Sequence, residues 1–163
     1  MRKYLFRGRI IDMKNSIHAS DCGVHNMPAL PNTNCDCGLW VYGHYTEGSP
    51  NYHYITKPDG SVWQVIPESV GQFTGLTDKN GKDIFEGDII GWTTFFRDSD
   101  IPTPDKKASI EFDMQSARFI GKCLLNGKTY TKELIADFGD GSGFAMQSIE
   151  VIGNTYDNPE LLK

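Results

Sequence analysis

The sequence has little of what marks secreted, membrane-spanning or duplex-binding proteins. Its 16 Lys and Arg are outnumbered by 21 Asp and Glu, which gives a net charge of −5. Proteins that hold duplex DNA by its phosphates usually carry the opposite balance, so strong duplex DNA binding is not expected. No apolar run approaches the ~20 residues that span a bilayer, and the basic residues 1–7 are not followed by the apolar stretch of a secretory signal. We therefore expect a cytoplasmic protein without membrane association.

Cysteine and helical periodicity are also scarce. The chain has four Cys, and in a cytoplasmic protein these are thiols or metal ligands more often than disulfides. No window of 11–18 residues repeats its apolar residues with the helical period of about 3.6. The clearest helical signal is Asn158-Pro159, an N-cap residue followed by proline at the first helical position, and Pro67 begins another short turn. The pattern predicts a mainly β fold with a short C-terminal helical turn.

Turn dipeptides and aromatic residues are what the sequence has in quantity. Nine Phe, seven Tyr and three Trp in 163 residues supply enough apolar surface for a core. Asp59-Gly60, Asn80-Gly81 and Asn126-Gly127 each lie between strand-like runs, as in hairpins with type I′ turns. Repeated hairpins indicate antiparallel sheets, and we expect them to form a small SH3-like barrel with an N-terminal β extension. A subdomain boundary is considered between residues 70 and 71.

Residues 14–38 form a polar segment that interrupts the strand pattern. They contain Cys-x-x-His followed by Cys-x-Cys, a set of ligands that tetrahedral zinc accepts. The ligands would be Cys22, His25, Cys35 and Cys37, with His18 as a substitute. The alternative is that the segment packs its own apolar side chains, such as Ile17 and Leu30, against the body of the protein. Because the ligand spacing is irregular, packing is preferred and no cofactor is assigned, with zinc as the alternative.

Asp137 and Asp140 lie in a glycine-rich stretch, residues 137–143. Its backbone N–H groups resemble an anion cradle, but the two carboxylates would repel phosphate. A cation site or a catalytic carboxylate pair is conceivable, whereas a wide β-connection explains the composition without any ligand. The connection is the preferred interpretation, and Asp137 and Asp140 are kept as candidate binding residues. No catalytic residue is assigned, since Cys123 fits a core strand and no nucleophile is tied to His44 or His53.

Aromatic residues crowd the strands around residues 40–54. Trp40, Tyr42, His44 and Tyr54 are candidate binding residues, and with Tyr45 and Tyr52 they favour a homo-oligomer interface. Near the start, Arg7 and Arg9 are interleaved with aromatic residues, a pattern that binds single-stranded nucleic acid in some proteins. A strand that shows alternate faces to core and water explains the same pattern. The second interpretation is preferred.

Three segments carry a family resemblance: residues 4–9 with 39–43, residues 70–90, and residues 150–162. Together they resemble the YopX-like family of phage and prophage proteins, over nearly the whole chain. The resemblance implies a small, mainly β, phage-encoded protein and offers no catalytic residues to carry over. It also implies one family domain over residues 1–163, with residues 14–38 as an insertion that departs from the family pattern.

Three hypotheses about function follow. The first is a phage or prophage accessory protein that acts as a non-enzymatic interaction module for a phage or host protein. The second is a nucleic-acid-associated regulator that uses the basic N-terminus. The third is an enzyme or metal-dependent protein that uses the His/Cys insertion or the Asp137/Asp140 loop. We expect the first, because small β domains without a nucleophile and base are usually structural or binding modules.

Overall fold

The computed structural model describes residues 5–11, 40–48, 52–92, 106–125, 128–135, 144–145 and 149–163. Within them the chain forms strands and short 3₁₀ turns in the following order. The strands are β1 (Phe6–Arg9), β2 (Trp40–Glu47), β3 (His53–Thr56), β4 (Val62–Val65), β5 (Gly71–Thr77), β6 (Asp83–Phe85), β7 (Asp88–Trp92), β8 (Lys106–Asp113), β9 (Arg118–Leu125), β10 (Lys128–Ile135), β11 (Phe144–Ala145) and β12 (Ile149–Asn154). The 3₁₀ turns are Pro67–Ser69 and Pro159–Leu162.

The strands form two sheets and the chain divides into two compact units, Met1–Gln72 and Phe73–Lys163. One sheet has the order β4-β3-β2-β1-β5-β6 and the other has the order β11-β10-β9-β8-β7-β12. Strand β5 takes part in both units: Gly71 and Gln72 pair with β1, whereas Phe73 and Thr77 pair with β6. The assignment of residues 1–163 to one family domain stays a prediction.

The first unit is a curled sheet around a small apolar core. Ile10, Val41, Ile55 and Val65 are its buried residues, and Phe6 and Tyr45 pack against them. The end of β1 returns to β4 through a bridge between Ile10 and Val65 and a hydrogen bond from Ile66 N to Arg9 O of 2.8 Å. The curl lets four short strands enclose one core, which a flat sheet of this width would leave open on one side.

Glycine is required where these strands approach most closely. A Cβ added to Gly43 would lie 2.0 Å from the carbonyl oxygen of Thr56, which is part of the neighbouring backbone. A Cβ on Gly8 would lie 2.9 Å from Cβ of Val65. Phe6 is the register partner of Gly43 and fills the space that the glycine leaves. The curl of the first unit therefore depends on side chains that are missing at defined positions.

The second unit has a larger apolar core beneath its sheet. The fully or nearly fully buried residues are Ile84, Ile90, Ala108, Ile110, Ile149 and Val151. Half-buried side chains, Cys123 among them, pack against this cluster, which confirms the interpretation of Cys123 as a core residue. Gly87 has a φ of +79° and turns the chain sharply between β6 and β7, as glycine permits without steric cost.

Two of the hairpin dipeptides were predicted in the correct place and with the wrong turn type. Asp59-Gly60 joins β3 to β4, and Asn80-Gly81 joins β5 to β6. Only the glycines have positive φ, +85° and +79°, whereas a type I′ turn needs positive φ at both residues. In the first loop Gly60 N donates to Lys57 O and Lys57 N donates to Ser61 O. This is the three-residue loop in which a type I turn is followed by a left-handed glycine.

Proline explains the choice at the first of these loops. Pro58 precedes Asp59 and its ring fixes φ near −65°, the value that the first central residue of a type I turn requires. Asp59 then accepts a hydrogen bond of 2.8 Å from Ser61 N. Strands β9 and β10 also pair as a hairpin, with Leu125 opposite Lys128. The connecting Asn126-Gly127 lies outside the described residues.

The mainly antiparallel β class is confirmed, with one parallel pair between β10 and β11. The described strands form two sheets and no closed barrel, so the expected SH3-like barrel is not confirmed. The C-terminal turn is present as Pro159–Leu162, but Asn158 does not cap it with its side chain. Instead Asn158 Oδ1 accepts a hydrogen bond of 3.3 Å from Asn154 N. The insertion, residues 14–38, is outside the described part of the chain.

Candidate binding face

The register of the first sheet places the four described candidate binding residues on one side of it. In an antiparallel sheet, register partners and alternate residues along a strand share a face. Trp40, Tyr42 and His44 alternate along β2, and Tyr54 is the partner of Thr46, two residues further on. We call this side the outer face. Its members are Arg7, Arg9, Trp40, Tyr42, His44, Thr46, Tyr54, Thr56, Val62 and Gln64.

The tyrosines of this region are exposed to solvent. Tyr42 is 45% exposed, and Tyr52, which immediately precedes β3, is 49% exposed. The rings of Tyr52 and Tyr54 are nearly parallel, with centroids 6.5 Å apart and an interplanar angle of 9°. His44 is exposed between them and Tyr42 along the two strands. Large amphipathic rings held at the surface of a sheet are typical of surfaces that bind a partner.

An arginine and a tryptophan form a second feature of the outer face. The guanidinium carbon of Arg7 lies 4.7 Å from the ring centroid of Trp40. Arg7 is 6% exposed, whereas Arg9 and Trp40 are half-buried. A cation over an indole ring is favourable, and it fixes the plane of the ring. This end of the face is therefore preorganised by contacts within the protein.

The outer face is free of acidic side chains. None of its members is Asp or Glu, and two are Arg. Residues 1–72 contain six Lys or Arg and six Asp or Glu, whereas residues 73–163 contain ten and fifteen. The whole net charge of −5 therefore belongs to the second unit, and the outer face is locally basic.

The inner side of the same strands carries one polar pair. Tyr45 Oη and His53 Nδ1 lie 2.5 Å apart, and their rings stack with centroids 5.9 Å apart. Burial raises the pKa of the Tyr45 hydroxyl, and the charge of Glu47 raises it further. A phenol with a raised pKa stays protonated near neutral pH and acts as a hydrogen-bond donor, not as a nucleophile. The pair is a satisfied polar contact at the edge of the core, as the sequence interpretation of His53 predicted.

Tyr45 shows where the sequence interpretation was wrong. It was grouped with the exposed aromatic residues, but it packs against Phe6 with centroids 5.4 Å apart and belongs to the inner side. The alternation along β2 contained the signal: Trp40, Tyr42 and His44 occupy even positions, and Tyr45 an odd one. Tyr52 is the complementary case, a surface ring that was not among the candidate binding residues.

Two buried carboxylates of the second unit were also not singled out from the sequence. Asp78 Oδ1 accepts hydrogen bonds from Asn80 N (2.8 Å) and Lys82 N (3.0 Å), and Oδ2 accepts one from Val151 N (3.0 Å). Burial acts to raise the pKa of Asp78, but these three N–H groups and the charge of Lys82 lower it overall. Asp88 is fully buried and accepts a hydrogen bond of 2.8 Å from Phe85 N. Both residues tie turns to the sheet and so have structural roles.

The remaining candidate residues lie outside the described part of the chain. These are Asp137 and Asp140 and the zinc set, which is Cys22, His25, Cys35 and Cys37. Among the residues that the structure does describe, no group of three or more His, Cys, Asp or Glu is arranged to hold a metal ion. The zinc alternative therefore stays a prediction. No helix in the described ranges is long and apolar enough to cross a membrane.

The fold and the face define a mainly β protein of two units with an exposed aromatic binding surface. The chain belongs to the YopX protein family, whose model matches residues 24–163, and this confirms the resemblance seen in the sequence. No curated protein matches the chain. Among solved structures the chain is similar to the crystal structure of protein EF1440 from Enterococcus faecalis, at 23% identity over 74% of this chain and 76% of that one, with a TM-score of 0.29.

Proposed function

We propose that this protein is a cytoplasmic phage or prophage accessory protein that acts as a non-enzymatic interaction module, with the outer face as its binding surface. One observation carries the proposal: Tyr42, His44 and Tyr54 lie on a single face of one sheet and are joined by the exposed ring of Tyr52. Tyrosine supplies a large contact area at a low cost in conformational entropy, because only two side-chain torsions are fixed on binding.

The inner polar pair supports a binding role over a catalytic one. Covalent catalysis needs a nucleophile activated by a neighbouring base. Tyr45 contacts His53, but its raised pKa favours the neutral phenol. The exposed rings, in contrast, need no further group to bind a partner. The enzymatic alternative rests on Asp137, Asp140 and the His/Cys insertion, which lie outside the described residues.

The proposal is tested by comparing two matched variants in partner capture. Tagged wild type, Tyr42→Ala/Tyr54→Ala and Tyr130→Ala are expressed in cells in which the phage genes are induced. Tyr130 is 47% exposed on the second unit, which matches the 45% of Tyr42. We expect a partner that is recovered with wild type and with Tyr130→Ala, and lost with the double variant. Equal recovery by all three proteins would refute the outer face as the binding surface.

A second copy of the chain is also a partner under this proposal. If the outer face mediates a homo-oligomer, light scattering shows a dimer or larger species for wild type and a monomer for Tyr42→Ala/Tyr54→Ala. Tyrosines are enriched at such interfaces. A monomer mass for wild type at high concentration would exclude this form of the proposal and leave a different partner.

A further inference from the structure

The chemistry of the outer face identifies a class of partner. We propose that it binds single-stranded nucleic acid, with unpaired bases stacked on the rings of Tyr42, Tyr54 and Tyr52 and a phosphate at Arg9. This inference rests on the proposed function, since it uses the same face and names what the face binds.

The arrangement of rings suits a chain of bases more than a single ligand. Tyr42 lies four residues from Thr46, the register partner of Tyr54, which places the two tyrosines about 13 Å apart along the strand direction. His44 is exposed midway, and Tyr52 continues the row with its ring stacked on Tyr54. The row crosses two neighbouring strands diagonally. Aromatic rings spaced along adjacent strands form a platform on which successive bases stack.

The charges of the face favour a polyanion. Arg7 and Arg9 are on the outer face, and it carries no carboxylate that would repel phosphate. Arg7 is buried against Trp40 and holds that ring in place, so Arg9 is the residue available at the edge of the platform. Arginine pairs well with phosphate because its planar guanidinium presents several N–H donors.

The same features argue against two other ligands. Duplex DNA hides the faces of its bases inside the stack and would meet only one or two arginines, in a protein of net charge −5. An acidic peptide would pair with the arginines but would offer no series of flat rings to the tyrosines. Unpaired bases joined by phosphates use both features at once.

Fluorescence anisotropy with labelled 12-nucleotide probes of mixed sequence tests the inference. The probes are single-stranded DNA, single-stranded RNA of the same sequence, and the DNA duplex. We expect saturable binding of at least one single strand at physiological salt and none of the duplex. The DNA and RNA arms show which sugar the face accepts.

Variants locate the binding on the platform. Tyr42→Ala and Tyr54→Ala are each expected to weaken binding at least about 5-fold, whereas Tyr42→Phe keeps the stacking and changes it little. Tyr130→Ala, the matched control, should bind like wild type. Arg9→Gln should remove most of the salt dependence, which for one phosphate contact is a slope of about −0.7 in a plot of log affinity against log salt. Circular dichroism checks that each variant is folded.

The outcomes separate this inference from the proposed function. Absence of binding to either single strand, or equal losses in Tyr42→Ala and Tyr130→Ala, would overturn the inference. If the single strands do not bind while Tyr42→Ala/Tyr54→Ala still loses a captured protein partner, the inference is wrong and the interaction module stands. If the double variant loses neither a protein partner nor a nucleic acid, both are wrong.

Discussion

The two units use different side chains for the same task of enclosing a β core. Residues 1–72 contain five of the seven Tyr and two of the three Trp, but one of the nine Phe; the other eight Phe are in residues 73–163. Tyrosine and tryptophan combine an apolar ring with a polar atom that tolerates water. The first unit can therefore present rings at its surface, whereas the second unit has the composition of a larger dry core.

Polar groups show the reverse arrangement. In the first unit the distinctive charged group is on the outer face, where Arg7 stacks on Trp40. In the second unit the distinctive charged groups are inside, where Asp78 and Asp88 accept backbone hydrogen bonds. A buried carboxylate is retained only when several donors compensate for its desolvation. The comparison suggests that binding is a property of the first unit and that the carboxylates of the second unit are scaffolding.

The largest expected effect is on the first unit. Gly43→Ala would place a Cβ against the carbonyl oxygen of Thr56 and force β2 away from β3. We expect a loss of about 3 kcal/mol or more in the free energy of unfolding, since the clash is with backbone and a flexible side chain cannot relieve it. Urea denaturation measures the loss. Gly48→Ala is the control, because its nearest contact would be at 3.3 Å.

Amide hydrogen exchange shows whether that effect is confined to one unit. Exchange in β2 and β3 should accelerate in Gly43→Ala, while β8 and β9 keep their protection. Equal acceleration in both units would show that they unfold together, and the comparison would then hold for composition but not for stability.

The second unit is tested by Asp78→Asn. The substitution removes the charge that three backbone N–H groups stabilise, and it turns a donor toward at least one of them. We expect a loss of about 2–3 kcal/mol, in the range for a buried hydrogen bond to a charged group. Asp83→Asn, at an exposed position on β6, is the control and should change stability little. A neutral Asp78→Asn would mean that the carboxylate is not needed to hold the hairpin to β12.

The pH dependence of stability follows from the lowered pKa of Asp78. Because this pKa is lower in the folded state than in the unfolded state, the carboxylate contributes stability above the unfolded value of about 3.9. That contribution is lost as the pH falls from about 4 through the folded pKa. Thermal unfolding between pH 7 and pH 2 should show a steeper acid loss for wild type than for Asp78→Asn. Parallel curves would show that other carboxylates dominate the acid sensitivity.

The smallest expected effect is a gain in stability at the β8–β9 turn. Ala117 has a φ of 53°, a left-handed conformation that strains a residue with a Cβ. Ala117→Gly relieves this strain but increases the freedom of the unfolded chain, and we expect a net gain of about 0.5–1 kcal/mol. Thermal melts measure it. Gln115→Gly, where φ is not positive, should destabilise slightly; a gain there as well would point to a different cause.

Local features of the fold were predictable because they depend on a few neighbouring residues. Asp59-Gly60 and Asn80-Gly81 mark turns since glycine adopts positive φ without strain. The turn type was not predictable from the dipeptide alone, because Pro58 and the pairing of the flanking strands also decide it. The exposed candidates Tyr42 and His44 were found from their density in one segment, whereas Tyr45 was misassigned for want of the register.

Long-range contacts were beyond the reach of the sequence. Asp78 bonds to Val151 across 73 positions in the chain, and Arg9 N is bound by Ser69 Oγ at 2.7 Å across 60. Nothing in the local pattern around either residue specifies its partner, since many polar groups in the chain offer the same donors and acceptors. Such pairs form only when the core brings two segments to the same place.

The sequence by itself determined the β class, the family, the positions of the hairpins and the excess of acidic charge, because these follow from local backbone preferences and from composition. The tertiary structure decided which aromatic rings face water, which carboxylates are buried, and that Arg7, Arg9, Tyr42 and Tyr54 share one face. The physical reason is strand register: each side chain of a β-strand points to one of two faces, and only pairing between distant strands fixes which neighbours it meets there.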